Sequence, residues 1–197
     1  MSMTVEEKIQ LLLDRTEIER VLHLYCRAID RLDAELLRSI YHPDGTDDHG
    51  SFCGNAHEFV DFIMREMRES TLYGFHTVTQ SIIDVQGHVA AAESIYVGYH
   101  RIEGSEEKLG HFFGESYAAR AQQRGELGQD HEYICGGRYI DRFEKRDGAW
   151  RILRRRITNE WNQCQAARHV FDEGQARLFN LPGARDRTDP VYGNLLS

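Results

Sequence analysis

From Val5 to Leu32 the apolar residues Ile9, Leu12, Ile18, Leu22, Tyr25 and Ile29 recur at helical spacing with Glu, Arg and Lys between them, which predicts one long amphipathic helix. Asp33 stands at the N-cap position of a second, short helix, Ala34 to Tyr41, and Pro43-Asp44-Gly45 carries the turn chemistry that closes it. Thr46 to Gly54 reads as a short edge strand. Asn55 then caps a third helix through Phe59, Phe62, Ile63, Met64 and Met67. From His76 the pattern changes period: Thr77 to Val85 and Val89 to Arg101 are β-rich runs joined at Gln86-Gly87-His88, a hairpin of two long strands.

Glu103 to Glu132 breaks this pattern with scattered glycines. It reads as an excursion in which Leu109 to Ala121 has the look of another strand. Tyr133 to Phe143 and Trp150 to Trp161, joined at Asp147-Gly148, form a second hairpin. Beyond it a short helix is expected over Cys164 to Phe179. An extended tail with Pro182, Gly183 and Pro190 follows from Leu181 to Ser197, placed to pack on a partner subunit. Helices first and antiparallel strands later predict one α+β domain over 1–197. Its core is 5–161, and a curved antiparallel sheet wraps a long N-terminal helix to leave a cavity.

Composition narrows the function. The 197 residues carry a formal charge of -8, which opposes a polyanionic partner and makes nucleic-acid binding unexpected. No apolar stretch approaches a membrane span and the N-terminus lacks a signal-peptide pattern, so a cytoplasmic protein without a membrane partner is expected. Cys26, Cys53, Cys135 and Cys164 are widely spaced and read as reduced thiols. Asp44, Asp47, Asp48 and His49, with His42 and His57 nearby, are acidic and imidazole-rich but match no zinc spacing. They read as solvated loop groups, with no metal expected. Glycine-rich nucleotide loops and the Gly-x-Ser-x-Gly elbow are absent from the sequence, and no cofactor is expected.

The segments Tyr25 to Asp33, Phe75-His76-Thr77 and Tyr139 to Ile152 resemble SnoaL-like proteins of the nuclear transport factor two-like superfamily. Within it the nearest likeness is to hexachlorocyclohexane dehydrochlorinase, scytalone dehydratase and bile-acid dehydratase. The resemblance implies a cone-shaped α+β barrel. It also implies that Asp30, late in the first helix, orients His76, which removes a proton from a small, largely apolar, cyclic or polycyclic substrate. Such a pair suits the task, because imidazole titrates near neutrality and a carboxylate on one ring nitrogen fixes the tautomer and stabilises the cation. By the same resemblance Tyr25 polarises a substrate oxygen, although it also fits the apolar stripe of its helix. Arg156 would be a pocket arginine, with an exposed basic strand face as the alternative that Arg154 favours and Arg156 shares, and His49 a polar group at the pocket mouth. Tyr99 and His100 are further substrate-binding candidates, of which strand alternation lets only one face the cavity.

The implied activity is dehydration or a related elimination, or an isomerisation. Two alternatives stay open: a non-catalytic binding or assembly subunit like the small subunit of aromatic-ring dioxygenases, and a polyketide-cyclase-like enzyme. A homo-oligomer, dimer or trimer, is expected through Leu153, Ile157 and Trp161 on the last strand.

Overall fold

A 26-residue helix, α1 (Val5–Asp30), opens the chain in a computed structural model that describes residues 3–194. Thr4 and Glu7 form a capping box at its start, so two of the end's unpaired N–H groups are satisfied reciprocally. Ile18, Leu22, Tyr25 and Ile29 are buried as the spacing requires, whereas Ile9 and Leu12 are 52% and 63% exposed. The stripe is continuous in sequence, but the buried residues of α1 begin at Asp14. Asp33 caps α2 (Ala34–Ser39) by accepting from Leu36 N–H, and Asn55 caps α3 (Ala56–Ser70) by accepting from His57 N–H, both as predicted.

Six strands form one sheet in the order β2-β1-β6-β5-β4-β3: β1 (Tyr41–Asp48), β2 (Cys53–Asn55), β3 (Tyr73–Gln86), β4 (Val89–Ile102), β5 (His131–Arg146) and β6 (Ala149–Ala166). The predicted hairpins β3-β4 and β5-β6 are present, the second closed by Asp147 and Gly148 at φ 51° and 78°. Two expectations need correction. The sheet is mixed, because β1 arrives from a helical connection and lies parallel to β6. It is also open, with β2 and β3 as edges. Pro43 to Gly45 forms an irregularity inside β1 and no turn. A side chain on Gly45 would meet the carbonyl oxygens of His42 and Leu153 at 2.9 and 3.1 Å, so the two strands approach there over glycine.

The excursion is helical, without the expected strand. Ser105 caps α4 (Glu106–Phe113), and Gly114 at φ 93° turns the chain into α5 (Glu115–Gln123). Leu109, Tyr117, Ala118 and Ala121 pack with Ile102 as a satellite core, and Tyr133 joins it to the main one. The helix expected over 164–179 is likewise replaced: β6 runs on to Ala166 opposite His131, and only Ala176–Leu178 makes a 3-10 turn. The tail packs on its own chain, with Arg185 donating to the carbonyls of Thr71 and Met67 at 2.6 and 3.2 Å. Those groups end α3, where helix carbonyls lack intrahelical partners. Of the expected tail, residues 195–197 lie outside the described residues.

Asp14 ties the middle of α1 to the β5-β6 hairpin by accepting from Trp150 Nε1 at 2.7 Å and Lys145 Nζ at 2.8 Å. Burial raises its pKa, but these donors outweigh burial and hold the carboxyl below its usual range. A depressed carboxylate adds stability above its unfolded pKa of about 3.9 and loses it as pH falls through the folded value. Asp14→Ala is therefore expected to cost about 2–3 kcal/mol in urea unfolding at neutral pH, with the deficit shrinking in acid.

Candidate active site

The site begins where α1 stops. Leu32 adopts φ 51°, Leu32 N–H donates to Ile29 O and Asp33 N–H to Ala28 O at 2.9 Å, a Schellman closure with leucine at the left-handed position usually given to glycine. That conformation costs a non-glycine residue about 1–2 kcal/mol. The corner is held from the tail side as well: Arg31 pairs with Asp189 at 2.9 Å and Tyr192 Oη donates to Asp33 Oδ2 at 2.8 Å. Asp30, the last residue of α1, is thereby fixed at the inner end of the helix and buried.

His76 lies near the start of β3, directly across from Asp30. Asp30 Oδ1 accepts from His76 Nδ1 at 2.8 Å while Oδ2 accepts from His76 backbone N–H at 3.1 Å, so one carboxylate holds both the ring and the strand that carries it. An ionised carboxylate only accepts, which puts the neutral ring's proton on Nδ1 and leaves the lone pair on Nε2. His76 pairs with Gly98 on β4. A side chain at Gly98 would lie 3.2 Å from the His76 ring, 3.3 Å from His100 and 3.4 Å from Cys135 Sγ. Glycine here makes room for two imidazoles over one strand.

The ring of His100 meets that of His76 edge to face, with centroids 4.9 Å apart. Burial, then the neighbouring His76 and Arg185, lower the His100 pKa well below the usual imidazole value, so it is neutral near pH 7. Its Nδ1 is buried without a partner among the described residues. Buried polar atoms are normally bonded, so this one is a candidate for a ligand contact.

His76 and His100 open on a cavity of about 470 Å³, walled by Ile29, Met67 and Ile157 and covered on one side by Phe112 from α4. Tyr25, Tyr96, Tyr133, Tyr139, His49 and Asn159 supply its polar edges. Tyr25 and Tyr139 meet edge to face at 5.3 Å, and the guanidinium of Arg155 lies in the angle between them, 4.0 and 4.1 Å from their ring centroids, while Arg155 donates two bonds to Asp141 at 2.8 and 2.7 Å. Arg155 and Asp141 are both buried. Burial opposes the Arg155 charge, yet the attraction of Asp141 overrides it. Burial also raises the Tyr25 hydroxyl pKa beyond what Arg155 offsets, so Tyr25 stays a protonated donor.

Of the residues singled out from the sequence, Asp30, His76, Tyr25, His49 and His100 meet at this cavity. Tyr99 does not. It points to the other sheet face, near Tyr73 and Glu132, as alternation next to His100 requires. Arg156 is on the outer face, 65% exposed and paired with Asp48 at 3.6 Å. The pocket-side arginine is Arg155, because a bulge between Ile152 and Arg154 adds one residue to β6 and reverses the parity as far as Asn159, where a second bulge follows. The same bulge turns Ile157 inward to the cavity and away from the expected subunit contact. Asp47, Asp141, Arg155 and Gly98 were not identifiable as site residues from sequence. A glycine directly opposite a candidate histidine was the one available signal.

Gly98→Val is expected to push the His76 ring from its place and weaken binding of any cavity ligand at least tenfold, with the melting temperature falling by only a few degrees; calorimetry on both proteins measures it. Arg155→Met leaves Asp141 buried and unpaired, and is expected to cost about 3–5 kcal/mol in denaturant unfolding.

The family model described as the SnoaL-like domain matches residues 10–156. No curated protein matches the sequence. Among solved structures, hexachlorocyclohexane dehydrochlorinase from Novosphingobium barchaimii superposes with TM-score 0.64 at 14% identity, covering 83% of this chain and 97% of its own. A scytalone dehydratase-like protein from Novosphingobium aromaticivorans gives TM-score 0.62 at 18% identity, covering 82% and 93%. A protein of unknown function from Mycobacterium tuberculosis gives 0.57 at 21% identity, covering 77% and 74%. At these identities the structures share the fold. The match over most of its length makes the chain a member of the SnoaL-like family, with the nuclear transport factor two-like fold.

Proposed function

We propose that the chain is a cofactor-independent lyase or isomerase that removes a proton from a small, largely apolar cyclic molecule, with His76 as general base and Asp30 as the group that orients it. One observation carries this reading: Asp30 bonds Nδ1 of an imidazole that lines the cavity and whose Nε2 has no hydrogen bond among the described residues. The base takes the substrate proton on Nε2, and Asp30 stabilises the imidazolium that results. Low polarity around the pair strengthens that stabilisation.

Neutral His100, with an unpartnered buried Nδ1, suits a polar group of the substrate, and Tyr25 is a donor for the oxygen that gathers charge as the proton leaves. Dehydration or dehydrochlorination, the chemistry named for two of the structural neighbours, fits such a base. A purely binding subunit has no need of a carboxylate fixed on a cavity imidazole, and the 2.8 Å bond favours the enzymatic reading over it. The protein acts as a homo-oligomer in this proposal, supported by exposed apolar groups on α1 and on the outer sheet face, where Ile82 is 71% exposed.

Ligands are found by thermal shift across ketosteroids, hydroxylated aromatics and chlorinated rings, and turnover is then measured on those that bind. His76→Ala is expected to lower turnover by roughly 10²–10⁴-fold, and Asp30→Asn also to lower it, with ligand binding retained in both. Unaltered rates in His76→Ala would remove His76 from the mechanism. Sedimentation at micromolar concentration is expected to give a dimer or trimer, and a monomer would contradict the assembly.

A further inference from the structure

The cavity contains a second imidazole held in the same manner as the first. His49 follows β1, and its Nδ1 lies 3.0 Å from Asp47 Oδ1. Asp47 is fully buried, and its other oxygen accepts from Tyr41 Oη at 2.6 Å. On the neighbouring strand Asp47 pairs in register with Arg155, which is also fully buried. The His49 ring stacks on Phe59 of α3, with centroids 4.8 Å apart and planes 27° from parallel. Its backbone is fixed too: His49 N–H donates to Phe52 O at 2.8 Å. Ring, strand and carboxylate leave His49 little freedom. Its Nε2 has no hydrogen bond among the described residues, and the residue lines the cavity that His76 also lines.

A loop histidine that only decorates a surface needs no buried carboxylate behind it, and burying Asp47 carries a desolvation cost that its bonds must offset. The arrangement does two things for His49. It sets the proton on Nδ1, and it leaves Nε2, which has no protein partner among the described residues, to exchange a proton with a cavity ligand.

We infer that His49 is the general acid of the same reaction, positioned by Asp47 and Tyr41, and that the leaving group is therefore an oxygen. This inference rests on the proposed role of His76 and deepens it by naming the substrate class, a cyclic alcohol with its hydroxyl β to an electron-withdrawing group. The balance is simple. His76 Nε2 takes the proton from carbon, the C–H electron pair becomes the new C=C bond, and the C–O bond breaks with its electrons going to oxygen. His49 Nε2 gives that oxygen its proton, and water departs. His76 ends protonated and His49 neutral, and exchange with solvent resets both. A chloride leaving group needs no proton, so a built acid on this side of the cavity has a use for alcohols and none for halides.

The test compares two leaving groups on one ring: β-hydroxycyclohexanone and its acetate ester, each converted to cyclohexenone and followed by ultraviolet absorbance. Acetate leaves without protonation. His49→Gln is expected to lower kcat/KM for the alcohol by roughly 10²–10⁴-fold and for the ester by less than about threefold. Asp47→Asn is expected to show the same split at smaller size. His76→Ala is expected to lower both substrates alike. Equal losses on alcohol and ester in His49→Gln would overturn the acid role and leave the base standing, whereas an active His76→Ala with a defective His49→Gln would overturn the base instead. Failure of the wild type to act on either ketone would count against the substrate class. Proton–nitrogen correlation spectra of the free protein test the geometry without turnover. Both rings should carry the proton on Nδ1, Asp47→Asn should disturb the His49 signals alone, and a His49 ring with Nδ1 unprotonated would overturn the dyad.

Discussion

One carboxylate joins the two halves of this fold. Asp30 closes the long helix and bonds His76 twice, at its backbone N–H and at its ring, so the distance between helix and sheet and the direction of the imidazole are set by a single group. A carboxylate in the last turn of a helix faces the negative end of the helix dipole, which by itself disfavours the charge. The bonds to His76 compensate at that position. The Schellman corner with Leu32 in the left-handed region, and the tail residues Asp189 and Tyr192 bonded behind it, fix where the helix stops. A strained turn braced on two sides is a reasonable way to hold one oxygen atom to a fraction of an ångström.

Around this pair the interior is divided by polarity. The wall is aliphatic and aromatic, yet behind Tyr25 and Tyr139 lies a fully buried Arg155 on Asp141. A buried ion pair is seldom a net source of stability, because desolvation of both charges offsets their attraction. Here the guanidinium also lies against both tyrosine rings, which meet edge to face, and Tyr96 stacks on Tyr139 at 4.5 Å. The rings that line the cavity are thereby ordered before any ligand arrives, which lowers the entropy lost on binding. The inserted helices α4 and α5 carry their own small core and present Phe112 to the same space.

Elements with strong local signals were legible in the sequence, and parity was not. Caps at Asp33 and Asn55, the Asp147-Gly148 turn and the two long hairpins each depend on a few adjacent residues, and all are found. Asp30 and His76 came from the family resemblance, since forty-six positions separate them and no spacing rule joins them. The outward direction of Arg156, one of the two readings the sequence leaves open, is set by a bulge that adds one residue without a glycine or proline to mark it. The parallel β1-β6 pair is likewise non-local. The helical excursion was obscured by glycines at Gly110 and Gly114, one inside a helix and the other joining two. Asp47 read as a solvated acid because its burial depends on Tyr41 and on a strand a hundred residues later.

Proton removal by His76 is the claim on which the functional account stands, and it can be observed without a leaving group. A simple cyclic ketone bound in the cavity in heavy water should exchange its α-hydrogens for deuterium in the presence of the wild-type protein, at a rate that mass spectrometry follows directly. The account predicts protein-dependent exchange that is lost in His76→Ala. Exchange that persists undiminished in that variant would contradict it.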